Sequence, residues 1–429
     1  MNSDKTATFI NMSDSSNKLV ALVLAGTFPH RELIRNLRAR GYYVILVDYL
    51  PEPPAKDCAD EHLQESTLDQ DVVLRVARER NAKLVISTCV DQANLVACYV
   101  AENLGLHAPY SSKKAELVTD KILMKRRMLE SGIKTSRFEK GTCWTDFENV
   151  NLTYPLIVKP TDCNSSKGVI KVEHFSELKS VVENALKLSR KKEALVEEYV
   201  EGREIGFDAY IKNGEATIFL TRERRKIVKL EKSEQQIYGS FWPASVSDRV
   251  MQGLKTVAEQ IAKAFDLDNT PLMLQSIVRD EEVSVIEFAP RIGGGENYRI
   301  IKNATGADVI DYAIDSFLGE TPTFDHSAAD EVFADNYLYV EPCSFGEIQG
   351  FANLVDNQEI EYAETYKKPN MTVGGQFSSN NRVGAFVVKA PTEKEVLAKL
   401  KHAVDSIDIL DADGKSVMRK DIYAGSFDS

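Results

Sequence analysis

The run Leu272-Met-Leu-Gln-Ser-Ile-Val278, then Arg279-Asp-Glu-Glu-Val283, then Ser284-Val-Ile-Glu-Phe-Ala-Pro-Arg-Ile-Gly-Gly-Gly295 decides how this chain is read. Two apolar stretches flank a charged turn, the pattern of a β-hairpin. With the turn centred near Glu281, Gln275 falls opposite Glu287, the two Cβ atoms about 5 Å apart on one face. Neither side chain belongs in an apolar sheet without a partner. An amide oxygen beside a carboxylate, with Arg291 and a glycine run just beyond, suits a magnesium ion carrying nucleotide phosphates. A hairpin whose polar residues face solvent fits the same letters, so the segments upstream have to decide.

Composition narrows the classes. The 429 residues are 43% apolar and 28% charged, which is ordinary for a globular chain of two to four packed units. A net charge of −12 argues against a nucleic-acid footprint. Residues 1–17 are polar and read as a disordered tail rather than a signal peptide, and no run reaches transmembrane length. Cys58, Cys89, Cys98, Cys143, Cys163 and Cys343 show neither CxxC pairing nor zinc spacing, so they read as thiols of a reducing, cytoplasmic compartment. The six histidines form no metal motif.

Along the chain, strand Leu19–Leu24, helix Pro29–Arg40 and strand Tyr43–Val47 make a βαβ opening, and Leu84–Ser87 with helix Gln92–Asn103 continues it. The first turn, Ala-Gly-Thr-Phe-Pro-His, lacks GxGxxG, which disfavours a dinucleotide site and leaves Asp48 as a strand-end residue. Ser111–Gly132 reads as helical. Hairpins then dominate, with Asn213-Gly214 a strong turn, followed by a helix over Arg249–Phe265. Near the C-terminus, Val396, Leu400, Val404 and Ile407 make the apolar stripe of a core helix.

Lys159 ends the apolar strand Pro155–Pro160, immediately before Thr-Asp-Cys-Asn-Ser-Ser-Lys-Gly168. Such a lysine can snorkel, but beside a Ser/Ser/Lys/Gly loop it can also neutralise a phosphate cradled by backbone N–H groups. Val196-Glu-Glu-Tyr-Val-Glu-Gly-Arg-Glu204 offers strand-end backbone for an adenine edge and Glu204 for ribose hydroxyls, although a Glu-rich strand end is usually only solvated. The basic run Thr221-Arg-Glu-Arg-Arg-Lys226 reads most simply as a solvated strand end, with a cationic lip for an anion as the other reading. Asn297, Tyr298 and Arg299 suit either a substrate carboxyl group or a helix cap.

Taken in order, Lys121, the Val-Lys-Pro strand and its Ser-Ser-Lys-Gly loop, Val-Glu-Glu-Tyr-Val-Glu-Gly-Arg-Glu, and Glu-Phe-Ala-Pro-Arg-Ile-Gly-Gly-Gly resemble the ATP-grasp superfamily. The resemblance is nearest to carboxylate–amine ligases of the biotin carboxylase and carbamoyl phosphate synthetase branch, particularly L-amino acid ligases. It implies that Lys121 and Lys159 hold phosphates under a mobile loop of Ser165, Ser166, Lys167 and Gly168. It makes Glu197, Glu198 and Val200 the adenine hinge and Glu204 the ribose ligand. It makes Gln275 and Glu287 the metal ligands, and Arg291 the catalytic arginine that steadies an acyl phosphate. Gly293, Gly294, Asn297 and Arg299 are its candidate substrate-binding residues. Two positions depart from the family pattern: Gln275 where glutamate is usual and Ala289 where asparagine is common, so fewer anionic ligands face the metal.

The implied fold is α/β and α+β multidomain, an N-terminal pre-ATP-grasp α/β domain followed by an ATP-grasp fold with a small lid. The expected divisions are 1–17 tail, 18–110 pre-ATP-grasp domain, 111–155 central helical segment, 156–212 lid, 213–330 catalytic subdomain and 331–429 C-terminal subdomain. The implied function is an ADP-forming ligase joining a small-molecule carboxylate, an amino acid or related acid, to an amine. Its cofactors are ATP and Mg2+, with Mn2+ as an alternative ion. No nucleic-acid or membrane partner is expected, and a homodimer is among the expected states. A purine-pathway ligase or transformylase, and an ATP-binding subunit without catalysis, are the alternatives.

Overall fold

The computed structural model describes residues 18–163, 167–227, 236–375 and 379–423, and the chain divides into two compact units. The tail expected at 1–17 lies outside the described residues.

The first unit holds the chain up to Glu116 together with Val309–Pro322. Its elements are β1 (Val20–Leu24), α1 (Phe28–Ala39), β2 (Tyr43–Val47), β3 (Glu61–Leu63), α2 (Gln70–Glu79), β4 (Leu84–Ile86) and α3 (Asp91–Leu104). The strands pair in parallel in the order β3-β2-β1-β4. Continuous apolar runs suit that arrangement, because crossover helices cover both faces, and Leu22, Val23, Leu46 and Val85 are fully buried. Pro29 stands in the first turn of α1, where its missing N–H costs nothing, and Gly105 ends α3 in the left-handed region. The helix Val309–Leu318 returns to this unit: Arg40 at the end of α1 pairs with Asp311 at 2.9 Å and Asp315 at 2.7 Å.

The second unit begins within α4 (Ser112–Thr119). The helical stretch expected over Ser111–Gly132 is broken at Asp120, whose carboxylate accepts from the N–H groups of Ile122 and Leu123 and starts α5 (Lys121–Glu130). Next come β5 (Phe138–Gly141), β6 (Leu156–Pro160), β7 (Ile170–Val172), α6 (Phe175–Leu188) and β8 (Ala194–Glu198). They form an antiparallel sheet ordered β5-β8-β6-β7, with Phe147, Leu156, Val158, Leu178, Val182 and Val196 as its core.

β9 (Arg203–Lys212), β10 (Glu215–Lys226), β11 (Ile237–Trp242), α7 (Asp248–Phe265), β12 (Thr270–Arg279), β13 (Glu282–Ala289) and α8 (Asn297–Thr305) follow. The first unit's helix Val309–Leu318 is α9, and the chain then continues through β14 (Val332–Leu338), β15 (Cys343–Gln349), α10 (Phe351–Asp356), β16 (Tyr362–Thr365), β17 (Thr372–Val373), β18 (Gly384–Ala390), α11 (Glu393–Ser406) and β19 (Asp408–Asp411). Eight of these strands make one antiparallel sheet, β13-β12-β9-β10-β11-β14-β18-β16, and β17-β15-β19 make a small separate one. Asn213 and Gly214 both take positive φ, 54° and 77°, the conformation a two-residue hairpin turn demands. The stripe on α11 is core: Val396, Leu400, Val404 and Ile407 are buried.

Strand pairing redraws the expected divisions. The lid expected at 156–212 takes in β9, which pairs with β10 and β12 of the large sheet, and leaves out β5, which pairs with β8. The division expected at 330 runs through the large sheet, since β14 pairs with β11. Helix α9, expected in the 213–330 subdomain, sits in the first unit.

Candidate active site

Gln275 and Glu287 are register partners across β12 and β13. The turn is tight, with Asp280 and Glu281 both at positive φ, 49° and 64°, and Arg279 opposite Glu282. Unbroken pairing from that turn would set Gln275 opposite Ile286. A bulge at Ile286 inserts one residue, so Ser276 faces Val285 while Gln275 faces Glu287. The N–H of Val285 is meanwhile taken by the carbonyl of Lys134 at 2.8 Å.

The register of the large sheet carries this pair into a charged strip. Gln275 pairs with Gly206 on β9, which pairs with Arg222 on β10, and side chains two residues apart share a face. Glu204, Asp208, Arg222, Arg224, Gln275 and Glu287 therefore lie on one side. Arg224 donates to Glu204 at 3.1 Å and to Gln275 Oε1 at 3.2 Å, and Lys226 reaches Glu204 at 3.0 Å. Burial pushes the Glu204 carboxyl up, but Arg224 and Lys226 more than offset it and hold its pKa below the ordinary value. Arg222 is fully buried against Asp208 at 2.7 Å, and Gly206 leaves it room: a Cβ there would stand 3.2 Å from Arg222 Nε.

The basic run 221–226 is thus not a solvated strand end. Alternation sends Arg222, Arg224 and Lys226 onto the charged face and buries Arg225 on the other, where it stacks against Tyr238 and Phe241. Alternation thus gathers three cations on one face and leaves Glu223 with Arg225 on the other.

A second cluster stands on the smaller sheet and α5. Glu197, buried on β8, pairs with Lys159 on β6 at 2.5 Å and with Lys125 on α5 at 2.8 Å, and accepts from Ser136 Oγ at 2.9 Å. Lys125 also donates to Thr135 and Ser136. Burial would raise the Glu197 pKa, but the two ammonium groups outweigh it and bring it down to about 2. Burial lowers that of Lys125, with Glu197 opposing. Two ammonium groups share one carboxylate, which leaves a positive surplus suited to an anion. Lys125, one of the helical residues of the stretch Ser111–Gly132, is not among the expected site residues, because in sequence it looks like one more charge on a helix.

Lys121 Nζ lies 3.4 Å from the carbonyl of Cys163, at the start of the loop that follows β6. Lys167 is exposed, and Gly168 takes φ +74°. Ser165 and Ser166 lie outside the described residues. Of the expected hinge, Glu197 turns its carboxylate to the lysines, Glu198 accepts from the N–H of Thr153 and pairs with Arg137, and Val200 is half-buried just past β8.

The stretch after β13 is held down by Asp208. Its carboxylate accepts from the N–H of Gly293 and from Asn297 Nδ2 at 3.1 Å while paired with Arg222. Asn297 thus begins α8 and also braces the glycine loop. A Cβ on Gly294 would meet nothing within 4 Å, whereas one on Gly295 would come 3.2 Å from Tyr337 Oη. Arg291 donates to the carbonyl of Ile292 at 2.7 Å. Arg299 lies over the rings of Tyr298 and Tyr362 and pairs with Glu364 at 3.3 Å.

Among the described residues no three His, Cys, Asp or Glu side chains gather as a metal set. The Gln275/Glu287 pair instead supplies one carboxylate and one amide oxygen, a donor set that fits magnesium brought in on phosphates and holding most of its shell from phosphate and water.

Residues 152–298 match the ATP-grasp domain family. Over 384 residues the chain is 21% identical to the multifunctional protein ura1 of Schizosaccharomyces pombe, covering 83% of this chain and 16% of that one. The L-amino acid ligase of Bacillus licheniformis has a similar structure, with TM-score 0.79 and 18% identity over 92% of this chain and 99% of that one. So does the phosphoribosylglycinamide synthetase of Anaerococcus prevotii, with TM-score 0.72 and 19% identity over 92% of this chain and 100% of that one. The fold is thus that of ATP-grasp proteins. The chain carries an ATP-grasp domain, and the charged strip and the glycine-loop anchor lie on its strands and helix.

Proposed function

We propose that this protein is a cytoplasmic, ADP-forming ligase that joins a small-molecule carboxylate, an amino acid or related acid, to an amine. The observation that carries the reading is the strip on one face of the large sheet: Glu287 beside Gln275, the cations Arg222, Arg224 and Lys226, and the Gly293–Gly295 loop pinned by Asp208. MgADP is named with one structural neighbour, the biotin carboxylase domain of a Hydrogenobacter thermophilus enzyme, which supports assigning ATP and magnesium here. Six free cysteines support the cytoplasm.

In this reading Lys121 and Lys159 neutralise phosphate oxygens, Lys167 and Gly168 lie on the covering loop, Val200 backbone meets adenine, and Glu204 meets the ribose. Glu287 and Gln275 would hold a magnesium ion, which would supply charge neutralisation on the phosphates. A carboxylate oxygen attacks the γ-phosphorus, the bond to the β-phosphate oxygen breaks and ADP leaves. Amine nitrogen then attacks the acyl carbon, and phosphate departs as the nitrogen gives up its proton. The chain's task is positioning and charge balance, with Arg291 beside the transferring group. Pools of amino acids offered with Mg-ATP test it: amide product with stoichiometric ADP and phosphate is expected, and ATP bound without turnover would favour the non-catalytic alternative.

A further inference from the structure

Three residues with a buried polar atom that lacks a hydrogen-bond partner among the described residues, Glu296, Asp335 and Tyr362, lie at the other half of the same sheet face. Strand register places Asp335 and Tyr337 of β14, and Tyr362 and Glu364 of β16, on the side that carries Arg224 and Gln275. Glu296, 1% exposed, caps α8 over this half. Its Oε1 accepts from Tyr366 Oη at 2.8 Å, whereas its Oε2 makes a 3.6 Å ion pair with Arg299 and, among the described residues, no hydrogen bond. Asp335 Oδ2 and Tyr362 Oη are likewise buried without one. A buried carboxylate oxygen left this way is costly unless a ligand completes it.

We propose that Glu296 receives the ammonium group of an amino-acid substrate, whose carboxylate lies toward the Gly293–Gly295 loop. This rests on the ligase reading and adds the substrate's second recognition point. Three observations carry it. Glu296 directly follows the glycine loop, and the loop borders open space at Gly294. The unmet atoms on Glu296 and Asp335 are acceptors, which call for a group with several N–H donors. Arg299 meets Glu296 only in that 3.6 Å ion pair and is shared with Glu364 and the ring faces of Tyr298 and Tyr362. In support, burial raises the Glu296 pKa and Arg299 only partly offsets it, so the carboxyl gains most from an arriving cation.

Calorimetry on the full chain loaded with Mg-ADP, titrated with individual L-amino acids and their des-amino carboxylic acids, tests this. At least one amino acid should bind the wild type ten-fold or more tightly than its des-amino counterpart. Glu296→Gln, which keeps the hydrogen bond to Tyr366, should bind the two alike while Mg-ADP affinity stays within two-fold. Discrimination that survives in Glu296→Gln overturns the proposal, as does a wild type that never prefers the amino acid. A wild type that fails to bind Mg-ADP overturns the ligase reading and this inference with it, so the two failures are told apart.

Discussion

Gln275 faces Glu287 because Ile286 is bulged out of the ladder between them. That one inserted residue puts the only carboxylate of the pair beside an amide whose oxygen already accepts from Arg224. Glu287→Gln should therefore abolish ADP formation at any magnesium concentration, with melting temperature unchanged, because the half-buried pair loses its anion. Gln275→Glu should keep or tighten magnesium binding, the added charge being shared with Arg224. Magnesium titration of steady-state activity checks both variants.

Lys159 and Lys125 share Glu197 but should separate in function. Lys159→Met leaves Glu197 paired with Lys125, so the fold should hold while Mg-ATP affinity drops ten-fold or more by calorimetry. Lys125→Met removes a cation from among Thr135, Ser136 and Glu197, and should lower stability by roughly 3–5 kcal/mol in denaturant unfolding.

Acid should loosen the same cluster in a defined window. The Glu197 pKa is about 2 in the folded chain against an ordinary 4.5, so its stabilisation is fully present above 4.5 and is lost as the pH falls through about 2. The loss should be on the order of 3 kcal/mol. Glu197→Gln should flatten that part of the stability profile, measured by urea unfolding between pH 5 and pH 2, the range those two pKa values bracket.

Asp208 links the sheet to the glycine loop, so Asp208→Asn should separate binding from turnover. It leaves Arg222 buried opposite a neutral amide, which costs roughly 3–5 kcal/mol of stability. ADP release should fall about a hundred-fold, as expected when a positioning group is lost, while Mg-ATP affinity changes little, since the residue braces Gly293 and Asn297 rather than the phosphates.

What the sequence disclosed follows from how local each signal is. Hairpin pairing at Gln275/Glu287 and the Asn213-Gly214 turn are settled within a dozen residues, and both are legible there. The basic run 221–226 looks solvated in sequence because the partners of its cations, Asp208 and Glu204, stand on a neighbouring strand. Asp208 carried a signal that passed unused: a lone carboxylate in the apolar strand Ile205–Ile211 needs a partner, and Arg222 provides it. Lys125 meets Glu197 from 72 residues away in sequence, and Glu296 meets Tyr366 from 70 away. No local pattern announces either contact. β8 and β9 are consecutive in sequence yet pair in different sheets, which no local pattern shows.

Trapping the activated carboxylate tests the central claim most directly. With Mg-ATP, pooled amino acids and hydroxylamine, the protein should release ADP and form an equal amount of hydroxamate. Arg291→Ala should suppress the hydroxamate far more than it weakens ATP binding, because the guanidinium acts on charge that develops during transfer. Release of AMP and pyrophosphate, or ADP formed without any hydroxamate, would contradict an acyl-phosphate ligase.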